Sequence, residues 1–153
     1  MGILAIYFTY QPLINKTMSV ISKKLKLMFQ IAKTDAMLSR KFSSQGLGFG
    51  DLAVLYAIST ANGGKIRRID LAEKVGLTAS GVTRILIPLE KIGVVKREAN
   101  ARDARVSYAM LTQSGKTLLH ESLESAEVVC DDLIANDKEK QLDGLHELLA
   151  SIG

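Results

Sequence analysis

Apolar residues along this chain recur mostly at helical spacing, and one short stretch switches to the two-residue rhythm of strands. From Ser19 to Phe42, the residues Ile21, Leu25, Met28, Phe29, Ala32, Ala36 and Leu38 return every three or four positions. Lys23, Lys24, Lys26, Lys33 and Arg40 fall between them, so one long amphipathic helix is predicted. Such a helix needs a partner for its apolar face, in the same chain or on a second subunit. The next stretch, Gly46 to Gly50, alternates glycine with Leu47 and Phe49. It follows a helix and lacks the spacing of a phosphate-cradling loop, so it reads as a connector. Asp51 is expected to cap a short helix through Thr60, with Leu52, Leu55, Tyr56 and Ile58 including its buried face. Asn62-Gly63-Gly64 supplies turn chemistry at its end.

The segment Arg67 to Thr112 is the most informative. A short helix from about Arg68 to Val75 puts Ile69, Leu71, Ala72 and Val75 near one side. Gly76 then permits a sharp turn, and Thr78 caps a second helix from Ala79 to about Ile92. Two helices joined by so short a glycine-containing turn make a helix-turn-helix. Val94 to Arg97 and Val106 to Leu111 are strand-prone, and the polar loop Glu98 to Arg105 between them is basic. A hairpin directly after the second helix turns the unit into a winged helix-turn-helix.

At this point the residues resemble the MarR family of multiple-antibiotic-resistance-type transcriptional regulators. The resemblance is carried by DLAEKVGLTASGVTRILIPLEKIGVV and by the wing NARDARVSYAMLTQSGKTLL. The wing is similar to the family's D-P-R-D-x-R pattern followed by a strand and a Thr-x-x-Gly helix start. Arg102, Asp103 and Arg105 match that pattern, whereas Asn100 and Ala101 depart from it. The resemblance implies a mainly α fold with a small β-hairpin wing, flanked by N- and C-terminal dimerisation helices. It divides the chain into an N-terminal extension (1–17), a first dimerisation helix (18–45), a DNA-binding domain (50–111) and C-terminal dimerisation helices (112–153). The implied function is a dimeric, ligand-responsive regulator of palindromic operators, commonly a repressor.

Within the second helix, Val82, Ile85, Leu86, Leu89 and Ile92 are assigned to the core. The other face presents Ser80, Thr83, Arg84, Ile87 and Lys91. A helix in a major groove needs short polar side chains near its start and a long donor fork, which Ser80, Thr83 and Arg84 provide. Gly81 would let the backbone approach a phosphate. A solvated face with a structural arginine is the plainer alternative. On the wing, Arg102 and Arg105 suit a narrow minor groove, with Asp103 holding one guanidinium by an ion pair. The family resemblance points to Arg105 as the minor-groove residue; charge placed only for solubility is the alternative. Lys65, Arg67, Arg68, Lys74, Lys96 and Arg97 read as phosphate neighbours that set affinity without specifying sequence. Pro88 removes one helical hydrogen bond and is expected to produce a tolerated bend.

Thr112 and Ser114 are expected to cap a long helix through about Ala135, striped by Leu118, Leu119, Leu123, Ala126, Val129, Cys130 and Leu133. A last helix carries Leu142, Leu145, Leu148, Leu149 and Ile152. These stripes exceed what a winged helix covers, so association with a second copy is their natural use. Charge supports this division. The chain of 153 residues has a net charge of +4, yet residues 1–63 and 64–110 each carry +5 and residues 111–153 carry −6. A basic head on an acidic body fits a double-stranded DNA partner.

Other chemistry is sparse. The composition, 47% hydrophobic and 24% charged, is that of a globular chain. One cysteine, Cys130, favours a reducing cytoplasmic setting, and its acidic neighbours make it a poor thiolate, so it reads as packing. His120 and His146 lie on different helices and read as surface or dimer residues, not a metal site. No cofactor, metal or catalytic pair is expected, so the chain reads as a non-enzyme. The apolar run Ile3 to Phe8 is too short to span a membrane. Met18 is a candidate start, with residues 1–17 an upstream extension or an arm on a partner. Leu52, Tyr56 and Tyr108 are candidate walls of a ligand cleft, and the family resemblance implies small aromatic ligands. A winged-helix module for protein–protein assembly and a ligand-independent DNA-binding regulator remain as alternatives.

Overall fold

The computed structural model describes residues 21–42, 47–100, 106–134 and 138–152. Residues 1–17 and the wing tip, with Arg102, Asp103 and Arg105, lie outside them. The chain divides after Leu38 into two compact units. In order the elements are α1 (Lys23–Phe42), α2 (Phe49–Ser59), β1 (Lys65–Arg67), α3 (Arg68–Lys74), α4 (Ala79–Lys91), β2 (Val95–Ala99), β3 (Ser107–Leu111), α5 (Gln113–Leu133) and α6 (Glu139–Ala150). A mainly helical winged helix-turn-helix is therefore observed, and the strand β1 is an addition to the hairpin expected from sequence.

Most of α1 belongs to the first unit, where Leu25, Met28, Phe29 and Ile31 are exposed. The core lies in the second unit and is centred on α2. Its Val54, Leu55 and Ile58 have no solvent exposure, and Leu52 and Ala57 are nearly as enclosed. This helix packs against α3, α4, α5 and β3, so its burial is all-round and its sequence is correspondingly apolar. The exception is Tyr56, which is 51% exposed and does not join the buried face expected for it. Asp51 also acts differently from expectation. The helix starts two residues earlier, and Asp51 Oδ2 accepts the Gly48 N–H at 3.1 Å from inside the first turn.

After α2, Gly63 and Gly64 both take φ of +69°, a region where only glycine is unstrained, and they steer the chain into β1. The sheet is antiparallel in the order β1-β3-β2, with Tyr108 opposite Arg67 on one side and Glu98 on the other. The long helix α5 is fixed at its first turn. Thr112 Oγ1 accepts the Gly115 N–H at 3.0 Å and donates to the Gly93 carbonyl at 2.6 Å, while Ser114 Oγ donates to that same carbonyl at 3.0 Å. Within α5, Leu119 and Ala126 are buried and Cys130 is exposed, so Cys130 does not pack within this chain. On α6, Leu142, Leu145, Leu148 and Leu149 are all exposed, as is Ile152 just beyond.

The contact at the start of α5 is tight enough to test. A Cβ added at Gly115 would stand 2.0 Å from the Val94 carbonyl oxygen, which is backbone and cannot swing away. Gly115→Ala is expected to lower the unfolding free energy by about 2–3 kcal/mol in a urea titration at fixed protein concentration. An unchanged midpoint would show that the α5 start is looser than described.

Candidate nucleic-acid interface

The helix-turn-helix is built as its sequence requires. The buried Leu71 and Ala72 hold α3 on the core, and Gly76 turns the chain with φ of +67°. The Leu77 N–H reaches the Ala72 carbonyl at 2.9 Å, closing the helix end. Thr78 Oγ1 then accepts the Gly81 N–H at 3.1 Å and caps α4. Gly81 was expected to bring backbone near a phosphate, but its amide is occupied by this cap.

Along α4 the buried residues are Val82, Leu86 and Leu89, with Ile85 half-buried. Ile92 is 64% exposed, against its expected core position, because the helix ends at Lys91 and Ile92 falls on the turn beyond it. Ile69, expected on the buried side of α3, is 66% exposed; with α3 only one short helix long, Leu71 and Ala72 alone meet the core. Pro88 lies within α4 on its exposed side without ending the helix.

The opposite face of α4 exposes Ser80, Arg84, Ile87 and Lys91 together. Thr83 is half-buried, and its hydroxyl donates to the Ala79 carbonyl at 2.8 Å, leaving its methyl for outward contact. Arg84, Lys91 and Arg97 form no ion pair among the described residues. Of the cations assigned from sequence to phosphates, Lys65, Arg67, Arg68 and Lys74 are partnered, whereas Lys96, like Arg97, forms no ion pair among the described residues. Arg67 makes a bidentate pair with Asp70 at 2.6 and 2.8 Å, and Arg68 faces Glu90 at 3.8 Å, tying α3 to α4. Lys74 caps the end of α2 by donating to Thr60 Oγ1 at 2.9 Å. Arg67, Arg68 and Arg97 nevertheless border one cleft of about 330 Å³, shared with Ala79 of α4 and Val106 at the root of the wing.

A cluster that the sequence did not signal braces the wing root. Lys65 of β1 reaches across β3 to Glu98 of β2 at 2.5 Å, with its ammonium 5.1 Å from the centre of the Tyr108 ring. Asn100 Nδ2 donates to the Tyr108 hydroxyl at 3.3 Å. The hydrogen bond and charge of Lys65 hold the Glu98 carboxyl below its ordinary range, and Glu98 holds Lys65 above its own. A three-residue strand is too short for periodicity to reveal, so from sequence Lys65 read as a phosphate neighbour.

The comparisons with known proteins follow this geometry. The MarR family model matches residues 50–107, which run from the start of α2 to the first residue of β3. The HTH-type transcriptional regulator YdgJ of Bacillus subtilis is 26% identical over 133 residues, covering 86% of this chain and 80% of its own. The transcriptional regulator BldR of Sulfolobus solfataricus superposes with a TM-score of 0.71 at 25% identity, covering 86% of this chain and 99% of its own. Residues 50–107 of this chain form a MarR-family winged helix-turn-helix. The chain is a DNA-binding transcriptional regulator and not an enzyme. A third relative in fold, the MarR-family regulator Sco3205 of Streptomyces coelicolor, was solved in complex with DNA; its TM-score is 0.65 at 20% identity, covering 86% of this chain and 89% of its own.

Beside this winged helix-turn-helix, the cavities and the cysteine are the remaining features. Leu52 borders a cavity of about 220 Å³ with Phe42, Leu47 and Leu118, while Tyr108 borders another of about 320 Å³ with Lys65, Arg67 and Lys74. Tyr56 lines neither, so the three candidate ligand residues are not brought together. A cavity of about 460 Å³ was missed from sequence: Met110 and Leu111 of β3 meet Leu119 and Leu123 of α5 there, with Lys116 and His120 also lining it. Ser59 and Gly64, which also line it, are distant in sequence from β3 and α5, and only folding joins them. Partial desolvation on α5, then the charges of Glu127 and Asp131, push the Cys130 thiol up, which disfavours the reactive thiolate. No metal-binding group occurs among the described residues, and His120 instead faces Glu124 at 3.5 Å. No described helix is long and apolar enough to cross a membrane.

Two measurements follow. Because the Glu98 pKa is lowered on folding, its stabilising share is complete above the ordinary carboxylate range and is lost as pH falls through the lowered value. Glu98→Gln should therefore flatten the fall in melting temperature between about pH 5 and 3; an acid limb identical to that of the parent would show that the pair contributes nothing. At pH 7, Cys130 should react with iodoacetamide more slowly than free cysteine does; a faster reaction would contradict its raised pKa.

Proposed function

We propose that this MarR-family protein is a homodimeric repressor of palindromic operators, released from DNA by a small ligand. The observation that carries the proposal is the outer face of α4, where Ser80, Arg84 and Lys91 stand exposed on a helix capped and held by the fold. Short groups at the start and an unpaired guanidinium one turn later suit entry into a major groove. In this reading Ser80, Thr83 and Arg84 meet base edges. Arg68, Gly81 and Lys91 meet the backbone, and Arg102 and Arg105, oriented by Asp103, reach the minor groove.

Dimerisation is supported by apolar residues that this chain leaves uncovered, on α1 at Leu25, Met28, Phe29 and Ile31, and on α6 at Leu142, Leu145, Leu148 and Leu149. Residues 50–111 then serve as the DNA-binding domain, with 18–45 and 112–153 joining the two copies in the cytoplasm. A two-fold protein requires two half-sites at a matching distance, so a ligand that changes the separation of the two α4 helices releases DNA. A small aromatic molecule against Leu52, Tyr56 or Tyr108 is one such ligand, and the larger cavity beside Met110 offers it a second location.

Fluorescence anisotropy on an operator selected from randomised duplexes tests the reading. Arg84→Ala should weaken binding by about 1–3 kcal/mol and relax preference at one base pair per half-site. Arg105→Ala should weaken it at low salt without unfolding the domain. Wild-type affinity in both variants at matched salt, or no salt-dependent duplex binding by the parent, would overturn the proposal.

A further inference from the structure

The DNA-facing side of α4 contains one residue that neither hydrogen bonding nor charge explains. Ile87 is 57% exposed in the middle of a helix in which Leu86 and Leu89 are 1% and 3% exposed and Ile85 is half-buried. Isoleucine is a weaker helix former than the lysine, arginine or glutamate that ordinarily occupy a solvated face, and its exposure forgoes the free energy of burial. Its position on the helix is specific. Residues 80, 84, 87 and 91 are separated by four, three and four positions, which places all four side chains within an arc of about 60°. Ile87 thus shares one face with Ser80, Arg84 and Lys91, and all four are exposed. The hydroxyl of neighbouring Thr83 is turned back to the Ala79 carbonyl at 2.8 Å, so this side of the face is apolar beside the Arg84 guanidinium.

We infer that Ile87 is a specificity-determining residue that reads the C5-methyl group of a thymine in the operator. The inference rests on the proposed entry of α4 into the major groove. In that groove thymine alone among the four bases presents a methyl group, and an aliphatic side chain is the chemistry that recognises it. Arg84 and Ile87 divide the work, the guanidinium addressing a guanine edge or phosphate and the sec-butyl group a methyl. Three residues of helix rise about 4.5 Å, comparable with the 3.4 Å between stacked bases. The thymine therefore lies within about two base pairs of the pair whose identity depends on Arg84.

The experiment removes the methyl from the DNA and the side chain from the protein in one cycle. In the selected operator each dT is replaced in turn by deoxyuridine, which keeps every hydrogen-bonding group and loses only the methyl. Affinities are measured by anisotropy for the parent, Ile87→Ala, Ile87→Val and, as a control for exposed isoleucine lying off this arc, Ile92→Ala. The parent is expected to lose roughly fourfold in affinity for one thymine per half-site, the equivalent of one buried methyl. Ile87→Ala should bind the unmodified operator as weakly as the parent binds the deoxyuridine form and no longer distinguish the two. Ile87→Val should retain part of the discrimination, and Ile92→Ala all of it. Circular dichroism should show Ile87→Ala folded, since the site is exposed and alanine favours helix. If the parent binds its operator but no deoxyuridine position matters, or if Ile87→Ala discriminates like the parent, the inference is overturned while the function stands. Loss of discrimination in Ile92→Ala would equally overturn it. A parent that binds no duplex in a salt-dependent way overturns the function on which the inference rests.

Discussion

The joint between the end of α4 and the beginning of α5 holds the DNA-binding head together. Gly93 and Val94 form the turn that leaves α4, and their carbonyls receive the hydroxyls of Thr112 and Ser114 and the amide of Thr112. Gly115 has no side chain because the Val94 carbonyl oxygen occupies the place where a Cβ would stand. Each bond is individually modest, but the close approach allows α5 one way of leaving the sheet. The wing strands, α4 and the long C-terminal helix are consequently joined at two backbone carbonyls, those of Gly93 and Val94, which short hydroxyl side chains and one amide hold.

A second constraint is the distribution of charge inside the head. The sequence shows a surplus of cations between residues 64 and 110, but several of them do structural tasks. Lys65 and Glu98 bracket Tyr108 across three strands, Arg67 is held by Asp70, and Arg68 faces Glu90. What remains without an ion pair among the described residues, notably Arg84, Lys91 and Arg97, is concentrated on α4 and the neighbouring wing strand. Internal pairing thus narrows a broad basic region to a smaller set of available donors. Partly exposed pairs of this kind contribute little stability; they orient strands and helices relative to one another. The bracing of Tyr108 is an example, because it joins β1 to the hairpin that carries the wing.

The core is compact and uneven. The helix α2 is enclosed by α3, α4, α5 and β3, whereas α6 exposes every described side chain and α1 exposes a run of large apolar ones. A chain of this size buries a limited share of its surface by itself. Its remaining apolar area is arranged along whole helices, the form in which a second helical surface can cover it.

How far the sequence reached is best seen residue by residue. Gly76 and Thr78 revealed the helix-turn-helix because each has a local physical role: one adopts a positive φ, the other accepts an amide hydrogen bond. The periodicity of Val82, Leu86 and Leu89 gave the buried side of α4, and the strand-prone runs gave the hairpin, for the same local reason. Ile69, Ile92 and Tyr56 went the other way. Their spacing matched a buried face, but whether a residue is covered depends on where its helix ends and on what lies opposite, and neither is written in local spacing. Asp51 caps its helix from within the first turn because Gly48, three residues before it, is already the N-cap. The strand β1, the Lys65–Tyr108–Glu98 cluster and the cavity that Ser59 and Gly64 line with Met110 and Leu119 join residues dozens of positions apart. The sequence by itself determined the local elements, their caps and the sign of the charge on each part. Only the tertiary structure decided which cations stay available, which apolar residues stay uncovered and which distant residues share a cavity, because those outcomes depend on contacts made after the elements have formed.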